Sequence, residues 1–240
     1  MGGKYAFLDD DAHRPWEKPT EKWQYYQEWT DILFLHFEVE HAELRSLIPD
    51  DLKLDDFNGK YYVSVLGFNM HKLKPSKRLA IKFRADYNEI QIRTYVSKNN
   101  KRGLYVLNME VADKISSFVA QILSGMPYNR SLVERTENSY LNINKHKGYY
   151  LDVDYDVLDK IDKSPLVKWL TEIYRFYIFK ANDLKLFEIH HKEWSLHEIN
   201  LRHLKINYQF KNLKIDAYKL ISCQFSPGIQ VASWDAEDVI

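Results

Sequence analysis

The residues best suited to chemistry fall in one stretch, Glu89–Val111, where polar and apolar positions alternate on two segments joined by a polar loop, Ser97–Gly103. If Val96 pairs with Tyr105, Arg93 faces Asn108 and Gln91 faces Glu110. Side chains on a strand alternate between faces, so one face then gathers Glu89, Gln91, Arg93, Tyr95, Asn108 and Glu110. The other carries Ile90, Ile92, Thr94, Val96, Tyr105, Leu107, Met109 and Val111. The polar set admits two readings. It is a solvated hairpin face, or it lines a polar cavity in which Arg93 offers a planar fork to a substrate carboxylate. In the second, Glu89 and Glu110 hold the fork or act as acid and base. The grouping depends on register, because a slip of one residue moves side chains to the opposite face.

Other chemistries find less support. His190 and His191 are neighbours on an expected strand and point to opposite faces. His197-Glu198 opens like the metalloprotease helix motif, but Leu201 stands at the second histidine position. Asp152, Asp154 and Asp156 are spaced like the start of a calcium loop, without its glycine or terminal glutamate. They read as the wet face of a strand. No metal site and no cofactor are expected. There is no Gly-x-Ser-x-Gly elbow and no glycine-rich phosphate loop. Cys223, in an apolar segment, reads as an inert core thiol. His36 and His191 are the histidines best placed to contact a ligand.

The elements that must position these residues are mostly strands. Leu33, Phe34, His36, Phe37 and Val39 belong to a strand buried on both faces within Tyr25–Glu38 and its continuation. Ala42–Ile48 reads as a short helix ended by Pro49. Asn58-Gly59 predicts a hairpin turn flanked by Leu52–Asp55 and Tyr61–Met70. Ile115, Phe118, Val119 and Ile122 predict a helix stopped by Gly125. Tyr149–Val157 alternates as a strand, and Ser164-Pro165 caps a helix bearing Leu166, Leu170, Ile173 and Tyr174. Arg175–Lys180 pairs with Lys185–His191. Ala217–Phe225 and Ile229–Trp234 close the chain around Ser226-Pro227-Gly228. Residues 1–22, with Pro15 and Pro19, read as an extended surface arm. Tyrosine is the commonest aromatic, at 17 residues, which suits half-buried strands and pocket walls alike. Many strands and few helices give an α+β, β-rich class, one domain across 1–240, with a closed or strongly curved sheet.

Composition narrows the function classes. Lys+Arg and Asp+Glu are both 34, so the formal charge is zero and the basic excess of a nucleic-acid binder is missing. One cysteine rules out a disulfide framework and favours a reducing, cytoplasmic setting. Met1–Asp11 lacks the apolar core of a signal peptide, Ala6 occupies the position where myristoylation wants Ser or Thr, and no run reaches the ~20 apolar residues of a membrane helix. The oligomeric state is left open, a homo-oligomer included.

Several stretches together carry a family resemblance. They are His13-Arg14-Pro15-Trp16, Trp29–Phe37, Leu44–Pro49, Leu52, Leu54, Asp55 and Gly59. Glu89–Val96 with Gly103-Leu104-Tyr105 is the most specific, and Pro127-Tyr128 and His190-His191 with Trp194 extend it. These resemble the YqjF-like family of uncharacterised proteins, over about Pro15 to Trp234. After the paired histidines, relatives tend to carry prolines, where this chain has Lys192-Glu193.

The family is similar to acetoacetate-decarboxylase-like proteins. The resemblance implies a closed antiparallel β-barrel with peripheral helices, a polar interior and a small-molecule ligand, and it adds Tyr128 and His191 to the ligand-contacting set. It does not carry over the decarboxylase's paired lysines, whose nearest counterpart is Lys114 between Asp113 and Ile115. An imine-forming amine must lower an ordinary lysine pKa of ~10.4 by roughly four, at about 5–6 kcal/mol. A neighbouring cation and desolvation achieve that, whereas Asp113 works against it. The expectation is a site for a small carboxylate-bearing molecule, with lyase-like or other enzymatic activity. Beside it stand a non-catalytic ligand-binding or sensing protein and a structural protein whose barrel is filled by its own side chains.

Overall fold

Period-two alternation of Val, Ile, Phe and Tyr with polar residues dominates the chain, and strands dominate the fold. The computed structural model describes residues 5–76, 86–112, 125–180 and 183–239. The predicted helix over 115–122 and Lys114 lie outside the described residues.

Seven strands form a ring of pairings. They are β1 (Tyr25–Val39), β3 (Tyr61–Pro75), β4 (Tyr87–Lys98), β5 (Lys101–Val111), β10 (Arg175–Lys180), β11 (Asp183–His190) and β14 (Leu220–Ser233). The order is β11-β10-β5-β4-β3-β1-β14, and β14 returns to β11 through Ile189 with Ser233 and His190 with Ala232. Two short strands, β2 (Lys53–Leu54) and β6 (Tyr128–Arg130), join β4 and β5. A second layer extends from β14 and comprises β7 (Leu132–Thr136), β8 (Ser139–Asn144), β9 (Tyr149–Lys160), β12 (His197–Phe210) and β13 (Leu213–Ile215). β15 (Glu237–Asp238) lies beside β11. Among the described residues the two α-helices, α1 (His41–Arg45) and α2 (Pro165–Thr171), are short.

The alternation of each ring strand feeds two cores. Leu33, Leu35, Phe37, Val63, Val65, Ile90 and Ile92 face the second layer and meet its Tyr140, Leu151, Val153 and Tyr208. The intervening Ile32, Phe34, Leu66, Phe68 and Tyr95 face into the ring. The layers pack closely at Gly67, where an added Cβ would sit 2.9 Å from the Tyr140 ring. Helix α2 covers the interior near Tyr95, which donates to the Leu170 carbonyl at 2.9 Å. Its cap is the predicted one: Ser164 Oγ accepts from Val167 N, with Pro165 in the first turn.

Three expected connections differ. Asn58 and Gly59 do adopt positive φ, +53° and +78°, and a Phe57–Lys60 bridge closes the turn. However, β2 pairs with β4 instead of with β3, so the flanking hairpin is not formed. The 97–103 loop is a tight turn at Asn99-Asn100, both with positive φ, and the strands run on through Lys98 and Lys101. The terminal segment is one strand through Ser226-Pro227-Gly228, because both halves pair with the same partner, β1. His197-Glu198 opens β12, a fourteen-residue strand and not the helix that the metalloprotease motif requires.

Residues 5–23 do more than lie on the surface. Phe7 packs with Tyr26, Ala232 and Trp234, and the Phe7 carbonyl meets His190 Nε2 at 3.0 Å. Arg14 Nη1 donates to the Ile189 carbonyl at 2.6 Å. Arg14 and Arg175 share the Glu188 carboxylate, and Trp16 Nε1 donates to it at 3.1 Å. The arm therefore ties the β11–β14 seam. A buried carboxylate compensating two guanidiniums leaves both uncompensated when removed, which costs about 3–5 kcal/mol. Glu188→Ala should lower the urea-unfolding free energy by that amount. A loss under 1 kcal/mol would show that the cluster does not hold the seam.

Candidate functional site

The polar candidates on β4 and β5 are all buried, so the solvated-face reading is overturned: Glu89, Gln91, Arg93 and Tyr95 are at most 3% exposed. They do not form one constellation, however. The pairing is Gln91 with Met109 and Ile92 with Asn108, then Arg93 with Val106. Leu107 is the extra residue of a β-bulge, a device that shifts pairing by one and turns the strand. The expected partners Arg93–Asn108 and Gln91–Glu110 are replaced by Arg93–Val106 and Gln91–Met109.

Glu89, Gln91, Arg93 and Tyr95 consequently face the ring interior, and Asn108 and Glu110 face the second layer beside Ile90 and Ile92. Glu110 is held there by amides. Asn108 Nδ2 donates to Oε1 at 2.7 Å and Asn144 Nδ2 to Oε2 at 2.8 Å. Asn129 Nδ2 donates to Asn108 Oδ1 at 2.5 Å. These residues form a closed polar contact between layers, separate from the interior.

Inside the ring, registers set the polar residues in rows. Ser222, His36, Ser64 and Arg93 stand side by side across β14, β1, β3 and β4. The next row runs Gln224, Phe34, Leu66, Gln91 and Met109. The proton order of the first row follows from its donors. Tyr95 has one hydroxyl proton and gives it to Leu170 O. Ser64 Oγ, 2.5 Å away, therefore donates to the Tyr95 oxygen. His36 Nδ1 then donates to Ser64 Oγ at 2.7 Å. His36 Nε2 keeps its lone pair. Burial first, and the Arg93 charge second, push His36 down to about 3, which agrees with a neutral ring.

Arg93 is the anomaly. Its guanidinium is buried beside Tyr95, Nη1 donates to Gln91 Oε1 at 3.3 Å, and Nε has no partner among the described residues. No carboxylate among the described residues pairs with it, and desolvation pushes it down to about 10. Because Gln91 accepts from Arg93 through Oε1, its NH2 is the group left for the interior.

A cavity of about 80 Å³ lies against Gln91 and Glu89, lined elsewhere mainly by apolar side chains such as Trp29, Phe68, Met109 and Phe176. The expected polar interior is thus one polar wall in an apolar chamber. Tyr87 and Tyr128 complete that wall. Glu89 is fully buried, and burial pushes its carboxyl up to about 8, so it is protonated at neutral pH. Among the described residues neither of its oxygens closes a hydrogen bond of ordinary geometry, although the Tyr128 hydroxyl lies near enough to favour the ionised form slightly. The Tyr87 hydroxyl is likewise buried without a partner among the described residues. Burial, then the Glu89 charge, raises the pKa of both tyrosines.

The structure therefore brings together Glu89, Gln91, Arg93, Tyr95 and Tyr128 of the candidates, and leaves out three. Asn108 and Glu110 are on the other face. His191 is committed to backbone, with Nε2 against Ile173 O at 3.1 Å and Nδ1 against Lys192 O at 2.6 Å. Tyr87 and Trp29 are cavity residues that sequence reasoning did not select. Tyr87 sits two residues before Glu89 on the same face, and that spacing was its available signal.

A family model described as an uncharacterized conserved protein, DUF2071, matches residues 26–230. The chain belongs to this family. It is 30% identical over 186 residues to the uncharacterized protein YqjF of Bacillus subtilis (strain 168), covering 74% of this chain and 77% of that one. Among solved structures, it resembles acetoacetate decarboxylase from Legionella pneumophila, with a TM-score of 0.61 at 12% identity, over 97% of this chain and 95% of that chain. The enduracididine biosynthesis enzyme MppR, complexed with a condensation product of pyruvate and imidazole 4-carboxaldehyde, gives 0.63 at 9% identity over 92% of each chain. At those identities the likeness concerns the fold: a strand-rich, acetoacetate-decarboxylase-like architecture.

The Glu89 carboxyl makes a pH prediction. Its folded-state pKa of about 8 lies above the ordinary 4.5 of the unfolded chain. Between those values the folded protein holds a proton that the unfolded chain releases. Its contribution to stability is whole below 4.5 and declines as pH rises toward about 8, by up to about 1.4 kcal/mol per pH unit. Relative to wild type, Glu89→Gln should become progressively more stable from pH 5 to pH 8 in urea unfolding. Parallel pH profiles would mean that Glu89 is not held protonated.

Proposed function

We propose that the chain binds a small organic acid inside the ring, which acts as a closed barrel, with the acid's carboxylate on the Glu89–Gln91 wall and its apolar body in the chamber. The observation that carries this reading is the composition of the wall: each of its polar groups can donate a hydrogen bond. Protonated Glu89 donates, the Tyr87 and Tyr128 hydroxyls donate, and Gln91 turns its NH2 inward because Arg93 occupies its oxygen. Arg93 supplies positive charge behind that amide. Donors held in a low-dielectric site suit an anionic oxygen, in a ground-state carboxylate or in an enolate formed from it. The chamber has room for about five water-sized groups, which favours a short acid. A solved neighbour of the same fold is MppR complexed with pyruvate, a molecule of that class.

The test is thermal unfolding with propionate, butyrate, pyruvate and acetoacetate, each against the corresponding amide or a neutral ketone. At a hundred times its Kd an acid adds about 2.7 kcal/mol, which raises Tm by roughly 5–10 °C in a domain of this size. Arg93→Met should abolish the shift, and the shift should weaken as pH rises through about 8 and Glu89 ionises. Equal stabilisation by acids and amides would refute the reading.

A further inference from the structure

Among the described residues, the ring wall is incomplete beside Arg93. On the side of β5 away from β4, β10 pairs only at Leu104 and Tyr105, and β6 pairs only from Met109 onward. Val106, Leu107 and Asn108 have no ladder partner there among the described strands, which leaves a slot about 10 Å long. The bulge at Leu107 falls in this gap, and Val106 stands opposite Arg93 in the ladder.

A surface groove lies over the slot, lined by Tyr105, Val106, Leu107, Gly125, Pro127 and Ile178 among others. Ile178 also lines the interior chamber. So does Met126, whose neighbours on either side line the groove. Ile178 is only 4% exposed and borders both spaces.

We infer that this slot is the entrance to the chamber and that Ile178 is its gate, setting which acids pass by their width. The inference rests on the binding reading above for its ligand, but the gate is testable without one. A Cys223→Ser, Met109→Cys protein places a single thiol in the chamber wall. Its modification by methyl methanethiosulfonate, a probe of small-acid size, is followed by mass. Truncating a gate that opens by local motion should speed entry, and Ile178→Ala is expected to accelerate labelling roughly tenfold.

Ile178→Trp should slow labelling by a similar factor. Leu73→Ala, a comparable truncation on the chamber wall near Tyr25 and Tyr87, should leave the rate unchanged, which separates passage through the gate from general loosening. If Leu73→Ala accelerates labelling and Ile178→Ala does not, the entrance lies at the other end and the proposal is overturned. Unchanged rates in both truncations overturn it equally. Should Ile178→Trp not fold, the two alanine variants decide the matter. Labelling that obeys the gate while no acid binds would fault the ligand reading and leave the entrance standing.

Discussion

Two residue pairs, Ile189 with Ser233 and His190 with Ala232, convert a curved sheet into a ring. The chemistry described above follows from that closure. Once the inner face is shut, the side chains of β4 that point inward lose water, and the cost falls on their charged forms. Burial moves Glu89 toward its neutral acid, His36 toward its neutral base and Arg93 below the usual guanidinium range. A seam two pairs long is a weak closure, and the chain reinforces it from outside. The Arg14–Glu188–Arg175 cluster fastens the arm to β11 and its neighbour β10, and Phe7 fastens it to Ala232 of β14 and to Trp234 just beyond.

The bulge at Leu107 is the second constraint. By inserting one residue it sends Asn108 and Glu110 to the second layer while Glu89, Gln91 and Arg93 stay inside. The two carboxylates are thereby given different fates. Glu110 receives two amide donors and sits in a closed contact. Glu89 receives no such partners, and desolvation governs its protonation. Among the described residues the same strand segment also lacks ladder partners on its far side, so one local irregularity both sorts the polar residues and interrupts the sheet next to them.

The interior pairs a buried cation with hydrogen-bond groups whose directions are determined. His36 is fixed as a lone-pair acceptor by the chain through Ser64 and Tyr95, and Gln91 is fixed as a donor by Arg93. An arrangement of this kind is costly to fold around and is useful for recognising a complementary group, since the orientation is settled before anything binds. The likeness to acetoacetate decarboxylase and to MppR concerns the architecture, and what an interior can recognise depends on the residues that line it.

The sequence by itself determined the strands of the 89–111 hairpin, the Ser164-Pro165 helix cap, the Asn58-Gly59 turn and the family. Each depends on local signals: period-two alternation, side-chain capping and residues that tolerate positive φ. Tertiary structure decided the rest. Alternation shows that Gln91 and Arg93 share a face, but it carries no record of a single inserted residue on the partner strand, so alternation alone puts Glu110 on the wrong side. Whether that face is wet or dry depends on strands far away in sequence, β11 and β14. His191 is a candidate for ligand contact in the sequence, and in the fold the backbone carbonyls of Ile173 and Lys192 occupy both of its ring nitrogens. The residue types were written in the sequence, and their protonation and grouping were set by register and desolvation, which only the closed ring creates.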